Sequence, residues 1–525
     1  MPRFFNTAGP VNAQDHYCLP PLHRFDLDDI LRLIEQKKYF VLHAPRQTGK
    51  TSSLLALQAH LNASDQYRCL YCNVEVAQSA REHVERGIKA ILGEMADRAR
   101  TALDDDFLMR EHVSLLQFGA DKALNFALTR WAEASPLPLI VLMDKIDSLV
   151  GDTLIAVLRQ LRAGYDQRPA HFPQSVLLCG VRDVRDYRLR TDEGKAVITG
   201  GSAFNIKAES LRLGNFSRDD LTALYHQHTE ETGQIFEETA IETAWQLTQG
   251  QPWLVNALAY ETCFRLPTGR DRSQSVTAAM MQEAKERLIA RRETHLDQLS
   301  DKLKEPRVHG VIAPILAGDT APEKLLEDDV QYVYDLGLIT IQGQLRIANP
   351  IYQEVIPRVL TYTTQLTISQ EPAWYLAADG RLDMEKLLAA FQQFFREHSE
   401  HWVERFEYKE AGPQLLLQAF LQRIINGGGR IEREYGLGRR RTDLLIIWPH
   451  GDQTQRVVME LKLQYGTLEQ TLQDGLEQTW QYMDRCGTAD GHLIIFNRQS
   501  DLAWDAKIFH RAAQFDGHPI AIWGM

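Results

Sequence analysis

The chain has 525 residues, of which 44% are hydrophobic and 24% are charged, and its formal net charge is −12. This composition is typical of a globular protein with several hydrophobic cores and excludes a disordered or fibrous chain. The acidic balance excludes a protein that coats nucleic acid over its whole surface, because that binding needs many basic side chains.

The cysteines and the apolar runs predict a cytoplasmic protein. Six cysteines are scattered through the chain, which fits a reducing compartment. No apolar run reaches the roughly 18 residues of a transmembrane helix, and the N-terminus lacks the apolar core of a signal peptide. No membrane association is therefore expected.

Apolar runs alternate with helical patterns in the first part of the chain, which predicts a parallel α/β sheet. Strands are predicted at 39–43, 68–74, 137–144 and 175–181, and helices at 50–61, 80–102 and 153–165. Sheets of this kind bind ligands at the carboxyl ends of their strands.

Helical patterns dominate after residue 216. Helices predicted at 219–232, 237–249 and 253–265 indicate a small helical lid. Residues 305–358 contain helices followed by two short strands, 338–341 and 345–347, an order that resembles a winged helix. Such a segment either binds DNA or acts as a regulatory spacer, and the spacer is favoured because the segment is not basic.

A boundary between domains is predicted at 361–380, which is polar and weakly patterned. A last α/β unit follows it. Its predicted elements are a helix at 415–425, a break at Gly427–Gly429, and strands at 430–435, 442–447 and 457–462.

The run from Ala44 to Thr51 has the pattern of a phosphate-binding loop, because it follows a buried strand and opens a helix. Backbone N–H groups of such a loop hold phosphate. Lys50 is expected to contact the β- and γ-phosphates, and Thr51 to ligate Mg²⁺. The residues expected to bind nucleotide here are Ala44, Arg46, Gln47, Thr48, Gly49, Lys50 and Thr51.

Asp144 ends the apolar strand at 139–144 and is expected to bind Mg²⁺ through water. Many ATPases of this build carry Glu at the next position to polarise the attacking water, and this chain has Lys145. A charged lysine cannot act as that base and would repel the cation. We therefore expect nucleotide binding with weak or no hydrolysis, unless Asp147 or another carboxylate replaces the glutamate.

Residues 1–360 resemble the AAA-like and STAND-type regulatory ATPases. The resemblance is carried by 44–51, 139–149, 177–183 and Gly250-Gln251-Pro252. It implies that Pro252 touches the adenine, although a plain helix-breaking turn is the alternative. It also implies that Arg182 or Arg185 senses the γ-phosphate, with a surface salt bridge as the alternative. Such ATPases are nucleotide-controlled switches, and many assemble, so a homo-oligomer is compatible with the chain.

Two carboxylates and a lysine stand on neighbouring predicted strands near the C-terminus. In Glu460-Leu461-Lys462, residues i and i+2 share one face of a strand, and Asp443 begins the strand before it. Glu460, Asp443 and the Leu461 carbonyl are candidate ligands of Mg²⁺ or Mn²⁺, and Lys462 would orient or activate the attacking water.

This arrangement resembles the PD-(D/E)XK nucleases, over about residues 400–525. Gln478 and Tyr482 match the QxxxY motif of exonuclease-like members, which helps to orient substrate. Many members carry Glu on the first helix, where this chain offers only Gln418 and Gln422, so a second metal site is in doubt. Arg439-Arg440-Arg441 is the best phosphate-binding patch, with a solvated basic turn as the alternative.

Together these patterns predict a multidomain α/β protein. The predicted division is a P-loop NTPase core at 1–215, a helical lid at 216–295, a winged-helix-like segment at 296–362, a linker at 363–400 and a nuclease domain at 401–525. The predicted function is an ATP-regulated, Mg²⁺-dependent nuclease acting on nucleic acid, with DNA favoured, and by analogy in defence against phage. The alternative is a nucleotide-dependent signalling scaffold whose nuclease fold only binds.

Overall fold

The computed structural model forms two compact units. The first contains Met1–His295 and Gln331–Ile339, and the second contains Leu296–Val330 and Thr340–Met525. The residues that the structure describes are 2–117, 119–182, 188–189, 198–199, 206–291, 299, 301–303, 305–316, 325–341, 345–360, 375–405, 417, 420–421, 429–435, 442–451, 453–464, 466–497 and 502–525.

A parallel five-stranded sheet forms the centre of the first unit. The strands of this unit, in chain order, are β1 Phe4–Phe5, β2 His16–Tyr17, β3 Tyr39–His43, β4 Arg68–Asn73, β5 Leu139–Asp144, β6 Ser175–Gly180, β7 Arg188–Leu189, β8 Ile198–Thr199 and β9 Lys207–Arg212. The central sheet has the order β4-β5-β6-β3-β9, and all its neighbours pair in parallel. Four of these strands were predicted. The fifth, β9, was not, because it is a half-buried edge strand with charged residues.

Helices cover both faces of this sheet. They are α1 Leu27–Glu35, α2 Lys50–Ala63, α3 Val84–Leu103, α4 Phe107–Leu116, α5 Ala120–Ala134 and α6 Gly151–Ala163. On one face α1 and α2 pack on Phe40, Leu42 and Ile140. On the other face α3, α5 and α6 pack on Val41 and Val141. Because successive strand residues point to opposite faces, the continuous apolar runs of β3 and β5 serve both cores.

The helical lid follows the sheet in the chain. It consists of α7 Arg218–Thr232, α8 Glu238–Thr248, α9 Pro252–Tyr260, a π-helical turn at Glu261–Arg265, α10 Pro267–Arg270 and α11 Ala278–Arg291. Ser217 and Asp220 begin α7 with a reciprocal capping box. The short parallel pair β1-β2, which the sequence did not predict, packs on these helices through Phe5 against Tyr225 and Tyr17 against His228.

The segment that resembles a winged helix contains helices and a two-stranded sheet. Its elements are α12 Pro306–Leu316, α13 Glu327–Asp335, β10 Ile339–Thr340, β11 Arg346–Ile347 and α14 Pro350–Leu360. The loop 342–344 lies outside the described residues. The boundary between the units falls within α13 and within β10.

The rest of the second unit is a mixed six-stranded sheet with helices on both faces. Its elements are α15 Met384–Arg405, β12 Arg430–Tyr435, β13 Thr442–His450, β14 Gln453–Leu463, α16 Leu468–Cys486, β15 Gly491–Phe496, α17 Trp504–Lys507, β16 Phe509–Phe515 and β17 His518–Gly524. The order is β12-β13-β14-β15-β17-β16. Strands β12 to β14 are antiparallel, and α16 connects β14 to its parallel neighbour β15.

The stretch assigned to a linker contributes to this core. Helix α15 crosses residue 400, and its Leu387, Leu388 and Phe391 are buried against the sheet. Residues 384–400 of the stretch predicted as a linker therefore lie in this helix, because the polar composition around residue 370 does not extend into this amphipathic sequence. Residues 361–374 lie outside the described part of the chain. In the described part, no helix is long and apolar enough to span a bilayer.

Candidate functional site

The predicted phosphate loop connects the carboxyl end of β3 to the first turn of α2. Its positive-φ residues are Gln47 at 56° and Gly49 at 94°. Ala44, which occupies the first glycine position of the usual pattern, is not among the positive-φ residues in the described part of the chain. A side chain at Ala44 therefore causes no backbone strain.

Lys50 lies across its own loop and is almost fully buried. Its ammonium donates hydrogen bonds to the carbonyl oxygens of Ala44 at 2.8 Å and Pro45 at 2.7 Å. Burial lowers the pKa of Lys50, and the nearby charges of Asp147 and Asp144 oppose that shift. Thr48 fixes the same turn, because its hydroxyl donates to the Pro45 carbonyl at 2.8 Å. The loop is thus tied together by the side chains that its pattern requires.

Thr51 and Asp144 meet directly. The Thr51 hydroxyl donates to Oδ2 of Asp144 at 2.6 Å, although the two residues are 93 positions apart. The same carboxylate oxygen accepts a hydrogen bond from the Tyr71 hydroxyl at 3.0 Å. Oδ1 of Asp144 accepts the backbone N–H of Lys145 at 2.8 Å. Asp144 itself is fully buried, and these three hydrogen bonds satisfy its oxygens.

The Lys145 side chain is directed to the surface. Its ammonium lies 3.6 Å from Oε2 of Glu75, in a pair whose side chains are 41% and 47% exposed. Asp147, in the turn after Lys145, has its Oδ1 atom buried, with no hydrogen-bond partner among the described residues. This oxygen near Lys50 therefore belongs to Asp147, the residue that was expected to replace the missing glutamate as a base.

An open pocket lies beside the phosphate loop. Four parts of the first unit line it, namely the N-terminal segment 6–11, the stretch 17–24, the loop with α2, and the lid with Phe216 before it. The lining residues include Asn6, Thr7, Ala8, Gly9, Val11, Gln47, Gly49, Ser52, Phe216, Pro252 and Trp253. Pro252, predicted from its turn, is thus in the same pocket as the loop.

The N-terminal segment is a part of this pocket that the sequence analysis missed. The Trp253 indole N–H donates to the Thr7 carbonyl at 2.9 Å, and the Val11 N–H donates to the Ser52 hydroxyl at 3.1 Å. These bonds join the segment to the lid and to α2. The segment contains no apolar periodicity, so no sequence pattern could have indicated it.

Arg24 is a second residue that the sequence analysis missed. Its guanidinium donates to the carbonyls of Thr48 at 3.1 Å and Gly214 at 2.6 Å, and its centre lies 4.5 Å from the centre of the Phe216 ring. Burial lowers the pKa of Arg24 to about 10, which leaves it charged at neutral pH. Arg24 therefore connects the phosphate loop to the chain that enters the lid.

Two arginines at the carboxyl edge of the sheet contact Gln331–Ile339, which we call the returning segment. Arg182, just after β6, lies 4.6 Å from the centre of the Tyr332 ring. Arg212, the last residue of β9, donates to the Tyr334 hydroxyl at 2.7 Å and to its carbonyl at 3.3 Å. The contact with Tyr332 is an arrangement of Arg182 that the sequence did not indicate. Arg185 lies outside the described residues.

Three of the predicted nuclease residues meet in the second unit. The Lys462 ammonium lies 2.8 Å from Oε1 of Glu460 and also donates a hydrogen bond to Oε1 of Gln478. Glu460 is 2% exposed, at the centre of the sheet. These three residues come together for two reasons. Strand periodicity places Glu460 and Lys462 on the same face of β14, and α16, which carries Gln478, packs on that strand.

The structure describes only some of the other predicted nuclease residues. Tyr482 is buried on α16, and Leu461 is buried in β14. The backbone of Asp443 belongs to β13, and the register Leu444↔Met459 continued by one residue sets it opposite Glu460. The Asp443 side chain, Gln418, Gln422 and Arg439–Arg441 lie outside the described residues. Among described side chains, no group of three or more His, Cys, Asp or Glu could hold a metal ion.

The fold is similar to several solved P-loop ATPase structures over about two thirds of the chain. A Walker-type ATPase of Pyrococcus abyssi is 16% identical, with a TM-score of 0.45, over 67% of this chain and 99% of that chain. Cdc6p from Pyrobaculum aerophilum is 15% identical, with a TM-score of 0.36, over 65% and 93%. The RuvB Holliday junction branch migration motor of Thermotoga maritima is 10% identical, with a TM-score of 0.32, over 63% and 95%.

These similarities concern the course of the backbone, and no ligand or activity of this chain is inferred from them. No protein-family model matches the sequence. No curated protein matches it either.

Proposed function

We propose that the first unit binds ATP with Mg²⁺ and that the bound nucleotide controls a metal-dependent nuclease in the second unit. The observation that supports the nucleotide site best is the 2.6 Å hydrogen bond between Thr51 and Asp144. It joins the end of the phosphate loop to the end of an apolar strand, at the carboxyl edge where such sheets bind ligands.

The loop supplies the groups that a triphosphate needs. The first backbone N–H groups of α2 have no partner within the helix and favour an anion. Lys50 is positively charged and reaches across the loop, where phosphate oxygens would replace the carbonyls of Ala44 and Pro45 as acceptors. The base and sugar would occupy the adjoining pocket, between Pro252 and the N-terminal segment.

The residues beside the loop also fit Mg²⁺. The Thr51 hydroxyl and the Asp144 carboxylate are hard oxygen donors, the class that this cation prefers. Thr51 would ligate the cation directly, and Asp144 would hold a water of its shell. The bound cation would supply charge neutralisation at the phosphates. Lys145 and Asp147 then decide how well the chain can activate water.

Nucleotide binding is tested by titrating a fluorescent ATP analogue with Mg²⁺. Lys50→Ala removes a buried cation that faces the loop, and we expect the affinity to fall at least about tenfold, as for loss of a charged hydrogen bond. Lys89→Ala, at an exposed position on α3, is the matched control. Equal affinities of the two variants would contradict the nucleotide proposal.

For the second unit, the observation that supports a nuclease best is the contact of Lys462 with both Glu460 and Gln478. A lysine held between a carboxylate and an amide can orient water with a fixed geometry. Asp443 opposite Glu460 would supply the second carboxylate, and the Leu461 carbonyl a further oxygen. Oxygen ligands of this kind favour Mg²⁺ or Mn²⁺, which would polarise the phosphodiester when bound.

We propose nucleic acid, with DNA favoured, as the substrate of this site. Because the chain has a net charge of −12, the contact must be local. Arg439–Arg441, next to Asp443 in sequence, are the proposed phosphate contacts.

Cleavage is tested with plasmid DNA and Mg²⁺, with and without ATP. Glu460→Ala should abolish cleavage, whereas Glu469→Ala, at an exposed position on α16, should leave it unchanged. Loss of ATP dependence in Lys50→Ala would support control by the first unit. An absence of cleavage with every metal and nucleotide would favour the signalling scaffold.

The proposed biological setting is defence against foreign nucleic acid, such as that of phage, in which a nucleotide switch would restrain a harmful nuclease. The assay is plating efficiency of phage on cells that carry the wild type, Lys50→Ala or Glu460→Ala. Protection by both variants equal to that of the wild type would contradict this setting. Light scattering with and without ATP tests whether copies of the chain assemble.

A further inference from the structure

Tyr71 contacts the carboxylate of the proposed cation site from a neighbouring strand. It lies on β4, next to β5, and its hydroxyl is 3.0 Å from Oδ2 of Asp144. Tyr71 is 4% exposed and Asp144 is fully buried. The contact is therefore shielded from solvent, where a hydrogen bond to a charged group is strong.

The direction of this hydrogen bond is fixed. Burial, and next the Asp144 charge, raise the pKa of the Tyr71 phenol far above its ordinary value of 10. The Tyr71 hydroxyl is the donor of this bond, and Oδ2 of Asp144 is the acceptor.

The same oxygen of Asp144 determines the orientation of the Thr51 hydroxyl. A hydroxyl has one proton and two lone pairs. With the Thr51 proton directed to Oδ2 at 2.6 Å, both lone pairs remain for a cation. A rotation of the Asp144 carboxylate would turn that hydroxyl, and the hydrogen bond from Tyr71 opposes the rotation.

We propose that Tyr71 is a positioning residue of the cation site, which acts through Asp144 on Thr51. The inference rests on the proposed binding of Mg²⁺ and nucleotide in the first unit. Its specific consequence is that Tyr71 sets the Mg²⁺ dependence of nucleotide binding and does not affect the binding of nucleotide alone. Groups that orient metal ligands in this way commonly change metal affinity by about 10- to 100-fold when they are removed.

The chain contains a matched control for loss of a buried phenol hydroxyl. Tyr39 lies on β3 of the same sheet, is fully buried, and donates to the Pro173 carbonyl at 3.1 Å. Tyr39→Phe removes one neutral hydrogen bond and leaves Asp144 untouched. Each Phe variant removes one hydroxyl and keeps the packed ring, so both should fold.

The test is a titration with Mg²⁺ of the affinity for a fluorescent ATP analogue, together with the affinity in EDTA. We expect Tyr71→Phe to raise the Mg²⁺ concentration at half-maximal effect about tenfold and to leave the EDTA affinity unchanged. Tyr39→Phe should match the wild type in both. In an Asp144→Asn background, Tyr71→Phe should add no further change, because the residue through which it acts is already altered.

An Mg²⁺ midpoint of Tyr71→Phe equal to that of Tyr39→Phe would overturn the proposal. An equal loss of affinity with and without Mg²⁺ would also overturn it, since that is the result of a purely structural role. A wild type that binds no nucleotide in either condition would overturn the proposed function as well, so the two failures are distinguishable.

Discussion

The Arg212 guanidinium contacts both the side chain and the backbone of Tyr334, although the two residues are 122 positions apart. Two nitrogens of the guanidinium donate to the hydroxyl and the carbonyl of Tyr334, and the centre of the group lies 3.9 Å from the centre of the ring. We expect Arg212→Ala and Tyr334→Ala to be coupled by about 1 kcal/mol in a double-mutant cycle of urea unfolding.

The exposed pair Arg32–Asp29 on α1 is the comparison. It joins residues of one helical turn in solvent, where the coupling of an ion pair is weak. A coupling of Arg212 with Tyr334 no larger than this would mean that the returning segment is not held by Arg212.

Gly250 has no room for a side chain. Its φ is +71°, and a Cβ atom there would lie 2.0 Å from the carbonyl oxygen of Phe216. We expect Gly250→Ala to lower the free energy of unfolding by about 3 kcal/mol or more, because left-handed strain and a backbone clash add. Gly233→Ala is the control, since Gly233 has a φ of +77° and open space around it. Gly233→Ala should lower the free energy of unfolding by only about 1–2 kcal/mol. Equal losses for the two variants in urea unfolding would contradict the clash at Gly250.

His228 makes the first unit sensitive to acid. Burial lowers the pKa of His228 below its ordinary value of 6.5; the hydrogen bond with Gln234 opposes that shift, nearby Arg272 adds to it, and Glu231 opposes it. The ring also contacts the Tyr17 hydroxyl at 3.2 Å. Well above pH 6.5 neither folded nor unfolded His228 is protonated, and stability is full. As the pH falls below 6.5 the unfolded chain takes up a proton first, so stability is lost down to the folded-state pKa.

We therefore expect the free energy of unfolding to fall between pH 7 and pH 5, with a contribution from His228 of at most about 1.4 kcal/mol per pH unit. His228→Gln cannot titrate and should have a shallower slope over the same range. Urea unfolding at several pH values measures both slopes. Parallel slopes would show that His228 does not cause the loss.

The proposed nucleotide site carries Lys145 where many ATPases have glutamate, and we expect this lysine to limit the activation of water. In Lys145→Glu a carboxylate directly follows Asp144, and we expect ATP turnover to rise about 100-fold, the usual contribution of a general base. Lys145→Gln removes the positive charge without adding a base and separates the two effects. Asp147→Asn should abolish any turnover of the wild type, if Asp147 replaces the missing glutamate. Release of phosphate measures all of these, and equal rates in Glu and Gln variants would argue against a base at position 145.

Gln478 fixes the Lys462 ammonium from α16. Gln478→Leu removes this acceptor, and we expect DNA cleavage to fall by about tenfold or more, as for other residues that orient a catalytic group. Gln481→Leu, on the same helix with its amide bonded to Glu477 at 3.0 Å, is the control. If both variants cleave equally well, Gln478 does not support the proposed site.

Local patterns predicted the parts of the fold that depend on burial. β3, β5 and β6 are buried on both faces, so their sequences are continuous apolar runs. β9 was missed because Lys207, Glu209 and Arg212 interrupt any such run. The pair β1-β2 was missed because each strand has only two residues.

Contacts between distant residues could not be predicted from local patterns. The loop and Asp144 each have a sequence signature, but the bond of Tyr71 to Asp144 depends on how β4 pairs with β5. Arg24 and the N-terminal segment reach the pocket only through tertiary packing. The returning segment is 119 or more residues from the arginine at the end of β9, since it begins at Gln331 and β9 ends at Arg212.

The returning segment also determines how the chain can be divided. Because Gln331–Ile339 belongs to the first unit while the stretches before and after it belong to the second, the polypeptide passes between the units after His295, Val330 and Ile339. A protein truncated after His295 would lack Tyr332 and Tyr334 and leave Arg182 and Arg212 without those aromatic surfaces. A single proteolytic cut at any one of these crossings would divide the chain into two polypeptides, and at least one of the two units would then consist of pieces from both.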